Sequence, residues 1–232
     1  MTDINPETPV HESFPPPSVP QLRSAGAALI ASGGIFFAAE FIAAAAWTDP
    51  PYSYTHHFIS NLGVHGPVTA FGQSIYSPLS WVMNTGFFLF GLAALAGVVM
   101  LRGLPGRRRW AAVATAVLLA AGGVVVAVFP GSDDNGTTDY HGLGALAAFI
   151  SGNVLAILIG RAHHFLGVSR RLGRALVVLG ILGLASLAVF GTVLASGAGV
   201  LIGFFERGIV YTFLIGFIVV GAALRKRQDS TR

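Results

Sequence analysis

The chain has 232 residues, of which 53% are hydrophobic and only 10% charged, against about 45–50% and about 25% in an ordinary soluble domain. This composition excludes a water-soluble globular protein. The chain has no cysteine, which excludes disulfides, thiolate nucleophiles and Cys-ligated metal sites. A net charge of +4 could suit nucleic acid, but the basic residues lie almost entirely between or beyond apolar runs. We therefore expect no nucleic-acid partner, and the basic residues instead indicate membrane orientation.

The apolar runs predict the fold class. Residues 1–22 hold six of the 12 prolines and no apolar period, which predicts a disordered tail. Six runs long enough for a hydrocarbon core of about 30 Å follow. They cover residues 24–47, 78–101, 110–129, 142–160, 174–196 and 201–224. The sequence thus predicts an all-α, multi-pass membrane domain of six transmembrane helices over residues 23–225, with a basic tail at 226–232.

The distribution of basic residues predicts the orientation. Arginine and lysine cluster after the second and fourth apolar runs and in the C-terminal tail, whereas residues 48–77, 130–141 and 197–200 contain neither. The positive-inside rule places the basic segments and both termini in the cytoplasm. We expect a multi-pass protein of the cell membrane whose partner is membrane lipid, and the sequence predicts no oligomeric state.

Small residues recur along the fourth and fifth runs at intervals typical of close helix packing. They are Gly144, Ala148 and Gly152 in the fourth run, and Gly180, Gly183 and Gly191 in the fifth. We expect neighbouring helices to pack against all of these positions.

Charged and amide side chains concentrate in the outer half of the predicted bundle, where Glu40, Asn84, Glu206 and Arg207 fall inside apolar runs. A charge inside the bilayer costs at least about 2.5–3.5 kcal/mol, so it normally faces a partner or a cavity. Glu40 and Arg207 have opposite charges at matching depth, which predicts a cross-helix ion pair. The pair would be either a staple between the first and last helices or the charged floor of an outward pocket. Glu206 points about 100° away from Arg207 and is expected to face the outer loop or solvent.

The outer loops contain imidazole and carboxylate groups, which zinc and other divalent metals use as ligands. Asp134 and His141 are the first candidates for a metal site or an acid–base pair, and His56 and His57 are weaker metal candidates. The spacing matches neither the helical two-histidine zinc motif nor a calcium loop. The alternative is that His141 packs in the first turn of the fourth helix while the aspartates of this turn are solvated.

Four stretches together resemble one family. They are FISNLG (58–63), PLSWVMNTGFFLFGL (78–92), VAVFPGSDDNGTTDYHGLGALAAFISG (126–152) and GFFERGIVY (203–211). In order and spacing they resemble the bacterial and archaeal membrane proteins of domain-of-unknown-function family 998. The resemblance implies a six-helix membrane domain and no established activity. Family members often have aspartate where this chain has Asn61, so the first loop here lacks that carboxylate.

Two principal functions are compatible with these features. In the first, an outward-facing polar pocket that includes His57, Ser60 and Asn61 binds a lipid headgroup or a similar amphiphile. In the second, an intramembrane hydrolase uses Asp134 and His141, with or without a divalent metal, on a lipid or lipid-linked substrate. A transporter or channel and a purely structural membrane subunit are further alternatives.

Overall fold

The computed structural model describes residues 19–70, 72–131, 138–199 and 201–226. Six of its helices are long and apolar enough to cross a membrane, which confirms the predicted fold class. The helices are α1 (Val19–Ala46), α2 (Ser80–Met100), α3 (Gly106–Val128), α4 (Thr138–Arg161), the short α5 (His163–Leu166), α6 (Arg170–Ser196) and α7 (Ile202–Lys226). The bundle is therefore built from α1, α2, α3, α4, α6 and α7.

The first and last helices extend beyond the predicted membrane domain. Residues 19–22 belong to α1, so the predicted disordered tail is wrong at its C-terminal end. Leu22 packs against the hydrophobic core, which gives the extra turn an apolar partner, and proline is tolerated in the first turn of a helix. The remainder of the predicted tail, residues 1–18, lies outside the described residues. Lys226, assigned to the basic tail, is the last residue of α7.

The six long helices form a closed ring. Each of α1, α2, α3 and α4 packs against the next, α4 packs against α6, α6 against α7, and α7 returns to α1. A further contact joins α4 to α7. Because α7 closes the ring beside α1, residues near the outer ends of these two helices lie next to each other.

Most of the predicted packing positions do face a neighbouring helix. A methyl group added at Gly144, Gly152, Gly180 or Gly183 would meet atoms of an adjacent helix, whereas nothing lies within 4 Å of one added at Gly191. The prediction is therefore wrong for Gly191. The helices α4 and α6 are in close contact from their inner ends, where Gly160 and Gly173 each face the other's carbonyl oxygen, as far as Gly183. Toward the outer end they leave the open space that Gly191 faces.

A long loop between α1 and α2 folds back over the outer end of the bundle. Its 3₁₀ helix, Ser60–Gly63, carries the fully buried Leu62 and follows the buried Ile59. The Ser77 hydroxyl donates to the Leu62 carbonyl at 2.8 Å. A hairpin of β1 (Val68–Ala70) and β2 (Gln73–Ile75) completes the loop. Apolar side chains of the loop therefore pack into this end of the bundle.

Candidate functional site

The predicted ion pair between Glu40 and Arg207 is present. Arg207 Nη2 lies 2.9 Å from Glu40 Oε1, and Glu40 is completely buried. The Tyr211 hydroxyl donates to both carboxylate oxygens, at 3.0 and 2.9 Å. On α7, Tyr211 follows Arg207 by four residues and therefore lies on the same face of the helix. The carboxylate of α1 is thus held by two side chains of α7.

Arg207 also binds the outer loop. Its Nη1 donates to the carbonyls of Tyr54 (2.6 Å) and His57 (3.2 Å) and to Gly203 of its own helix (3.0 Å), and its Nη2 donates to the Tyr52 hydroxyl. The guanidinium carbon lies 4.8 Å from the centre of the Tyr54 ring. One arginine therefore joins α1, α7 and the loop, which supports the staple rather than the floor of a pocket.

The loop residues around Arg207 have shifted acidities. Burial raises the pKa of the Tyr52 phenol, so this hydroxyl keeps its proton and donates it to the Phe58 carbonyl at 2.9 Å. Burial, followed by the charges of His56 and Arg207, lowers the pKa of His57. His57 Nδ1 accepts the Ser53 N–H at 2.9 Å, which requires this nitrogen to be unprotonated.

Glu206, next to Arg207 on α7, is also buried, with 4% of its surface exposed. Of the two predicted environments, the outer loop and solvent, Glu206 faces the outer loop, which folds over it. Its Oε2 accepts the Ile59 N–H at 2.5 Å, and the Ser60 N–H is a second backbone donor. In the described part of the chain, Glu40–Arg207 is the only ion pair. Glu206 is therefore a buried carboxyl group held by backbone donors and without a described ion-pair partner.

His141 is the second buried polar group of this region, with 9% of its surface exposed. Its Nδ1 lies 2.8 Å from the Phe129 carbonyl oxygen. Because a carbonyl oxygen only accepts, Nδ1 must donate, and in the neutral ring Nε2 is then the acceptor. This contact fixes the tautomer of the ring through a residue of the preceding helix end.

Glu206 and His141 line the same cavity, which we call the outer cavity. It has a volume of about 320 Å³ and lies between α4, α6, the start of α7 and the outer loop. Its lining residues are Phe58, Ser60, Asn61, Gly131, His141, Gly142, Ala145, Leu146, Phe149, Leu187, Phe190, Gly191, Leu194 and Glu206. The outer cavity is therefore a mostly apolar space whose lining includes four polar residues, Ser60, Asn61, His141 and Glu206.

The other predicted pocket residues lie elsewhere. The amide of Asn84 donates to the Gly63 carbonyl at 2.9 Å, and His57 stacks on Trp47 with ring centres 5.0 Å apart. Neither residue lines the outer cavity, and the same is true of Glu40 and Arg207. Of the predicted pocket residues, Ser60, Asn61 and Glu206 do so. The Asn61 amide is also fixed by a 2.7 Å hydrogen bond to Gln73.

The metal candidates are dispersed in the described part of the chain. No group of three His, Asp or Glu residues with metal-binding geometry occurs among the described residues. His56 is exposed, with Nδ1 lying 2.8 Å from the Thr55 hydroxyl. Asp134, with the adjacent Asp133, lies outside the described residues, so its predicted pairing with His141 stays a prediction.

Three kinds of residue in this region were not predicted from the sequence. Tyr211 had a usable signal, because it follows Arg207 by one helical turn. Tyr52 had none, since its place depends on how the loop folds back. The aromatic walls of the outer cavity, Phe149 and Phe190, read as ordinary lipid-facing residues of apolar helices.

These features define a six-helix membrane protein with a buried ion pair and a separate, mostly apolar cavity toward its outer end. The family of proteins of unknown function DUF998 matches residues 30–223. The chain belongs to this family, as the resemblance predicted. No curated protein and no solved structure matches the chain.

Proposed function

We propose that the protein binds a membrane amphiphile in the outer cavity, from the outer side of the cell membrane. The main support is the lining of this cavity, which combines the polar residues Ser60, Asn61, His141 and Glu206 with apolar side chains. Small-molecule sites are typically apolar cavities of about 300–1,000 Å³ with a few convergent polar groups. The orientation is supported by the absence of arginine and lysine from the outer connections, since basic loops stay in the cytoplasm.

Access from the lipid supports an amphiphile rather than a water-soluble ligand. Leu194, on the wall of the cavity, is 42% exposed on α6, and Leu146 is 46% exposed on α4. Both residues face the position of lipid chains in a membrane. A bound amphiphile can thus place its head near Glu206 and its chain between these two helices.

Gly191 provides the test. A leucine there would project into the open space beside the helix without meeting an atom within 4 Å at its Cβ, so Gly191→Leu should fill the cavity and preserve the fold. Full-length protein in phosphatidylcholine nanodiscs is irradiated with single-chain diazirine amphiphiles bearing alcohol, amine or carboxylate heads. Peptide mapping then locates the crosslinks. We expect labelling of cavity residues in the wild type and its loss in Gly191→Leu.

Gly34→Leu is the matched control. Gly34 is an exposed glycine of α1 with nothing within 4 Å of an added Cβ, and it does not line the outer cavity. This variant should retain labelling at wild-type yield. Equal labelling of cavity residues in both leucine variants, or labelling spread evenly over all lipid-facing helices, would refute the proposal.

An intramembrane hydrolase is the second candidate function. The observation that favours it is that His141 and Glu206 line the same cavity, with Nε2 of the neutral His141 ring available to accept a proton. Glu206 would replace Asp134 as the carboxylate that orients a water molecule or the imidazole. Release of fatty acid from a single-chain ester by the wild type and its loss in His141→Gln would support hydrolysis. Equal release by both proteins would reject it.

A further inference from the structure

The polar lining of the outer cavity includes one carboxyl group and no described cation. Glu206 contributes a carboxyl group, and the neutral His141 ring contributes Nε2 as an acceptor. No lysine or arginine occurs among the described lining residues. The nearby guanidinium of Arg207 is already paired with Glu40 at 2.9 Å. The Glu206 carboxylate would repel a phosphate or carboxylate head, whereas an ammonium head would donate hydrogen bonds to it.

Aromatic rings surround the same space. Phe190 packs edge-to-face against Phe58, with ring centres 6.0 Å apart, and against Phe149, at 6.1 Å. All three residues line the outer cavity. Faces of aromatic rings attract cations, and ammonium heads are often held by several rings together. The aromatic walls therefore favour a cationic head group, as the Glu206 carboxylate does.

The volume limits the size of the ligand. At about 30 Å³ per water-sized group, a cavity of about 320 Å³ holds roughly ten such groups. This is enough for a small head and the first methylenes of one chain. Further methylenes would lie along the exposed Leu194 side of α6.

We infer that the outer cavity takes a single-chain amphiphile with an ammonium head, with Glu206 as its counter-ion and the three phenylalanines as its aromatic wall. This inference rests on the proposed function and names the ligand class of that same site. Glu206 binds the ligand in this scheme, while the backbone N–H groups of Ile59 and Ser60 hold the carboxylate in place.

The test compares head groups on one chain length. Dodecylammonium, dodecanol and dodecanoate compete with a diazirine-bearing alkylamine for full-length protein in phosphatidylcholine nanodiscs, with concentrations expressed as mole fractions in the bilayer. We expect dodecylammonium to compete at least about tenfold better than dodecanol, since hydrogen bonds to charged groups are worth well over a tenfold change in affinity. Dodecanoate should compete least.

Two variants test whether Glu206 and Phe190 cause the preference for dodecylammonium. Glu206→Gln retains the shape and an acceptor and should remove the preference for dodecylammonium, whereas Asp49→Asn, at an exposed carboxylate outside the cavity, should retain it. Phe190→Leu keeps the wall apolar. It should weaken the binding of dodecylammonium several-fold and leave the binding of dodecanol unchanged. This second variant keeps the inference testable if Glu206→Gln does not fold.

The outcomes separate the two proposals. If dodecanol and dodecanoate compete as well as dodecylammonium, or if the preference survives both Glu206→Gln and Phe190→Leu, the ammonium inference is overturned while amphiphile binding stands. If none of the three compounds displaces the crosslinker from the cavity, amphiphile binding itself fails.

Discussion

Replacing Glu40 by methionine should leave the Arg207 guanidinium buried without its counter-ion. Breaking a buried ion pair on one side costs about 3–5 kcal/mol. We expect a cost near the lower end of this range for Glu40→Met. The reason is that Arg207 keeps the Tyr52 hydroxyl and the carbonyls of Tyr54, His57 and Gly203 as hydrogen-bond acceptors. The expected loss is therefore about 3 kcal/mol.

Arg207→Met should lose more stability than Glu40→Met, about 5 kcal/mol. It leaves the Glu40 carboxylate with the Tyr211 hydroxyl as its hydrogen-bond donor in the described part of the chain, and it frees the loop carbonyls of Tyr54 and His57. The double variant buries no charge at this position. We expect its loss to be smaller than the sum of the two single losses by at least about 2 kcal/mol.

Unfolding in mixed dodecylmaltoside and SDS micelles measures this cycle. Fluorescence of Trp47, which is buried and stacked on His57, reports whether the loop stays docked. Asp49→Asn, an exposed carboxylate of the same loop, is the control and should change stability by less than about 0.5 kcal/mol. Strictly additive losses, or a Glu40→Met variant as stable as the control, would refute the argument.

Three further predictions address topology, acidity and packing. In this cysteine-free chain, His56→Cys should react with an impermeant thiol reagent on intact cells, and Gly106→Cys only after permeabilisation; the reverse pattern would invert the orientation. Because the folded pKa of His57 is lowered, its contribution to stability is complete above its unfolded pKa of about 6.5 and declines as pH falls below that value; a pH series of micelle unfolding in wild type and His57→Gln should show a shallower decline in the variant. Gly183→Ala should destabilise the bundle by about 1–3 kcal/mol, because the added methyl group meets the Asn153 side chain; an unchanged midpoint of thermal unfolding would contradict this.

The spanning helices were predictable because their signal is local. A run of about 20 apolar residues is selected by transfer into hydrocarbon, whatever the neighbouring helices do. The ends extended further than hydropathy indicated, since α3 begins at Gly106 and includes arginines in its first turn. Interfacial arginines can remain helical while their charges stay in water.

The ion pair was predictable from depth and sign, whereas the outer cavity was not. Burying Glu40 and Arg207 separately would be costly, so the sequence alone required partners. The cavity depends on how far α6 diverges from α4 at its outer end, a tertiary property that Gly191 does not encode. The glycine pattern that predicts close packing is the same at positions with and without a neighbour.

The environment of Glu206 was predicted only as a pair of alternatives, the outer loop or solvent, for a related reason. A rotation of about 100° per residue established that it points away from Arg207, but the group in that direction comes from a loop 147 residues earlier. The fold of that loop depends on burying Ile59 and Leu62 in the bundle, and no local pattern specifies this. Sequence reasoning thus identified the direction of the carboxyl group without deciding between the outer loop and solvent.

The two buried carboxyl groups therefore call for different explanations. Glu40 has a sufficient structural reason to be acidic, because its charge neutralises Arg207. The two backbone donors at Glu206 do not require a carboxylate, since a glutamine side-chain oxygen can accept the same N–H groups. An acid at this position carries a desolvation cost that an amide would lower. Glu206 is thus the buried acid whose carboxyl chemistry these hydrogen bonds do not require, and its substitution separates the proposed binding function from the stability of the bundle.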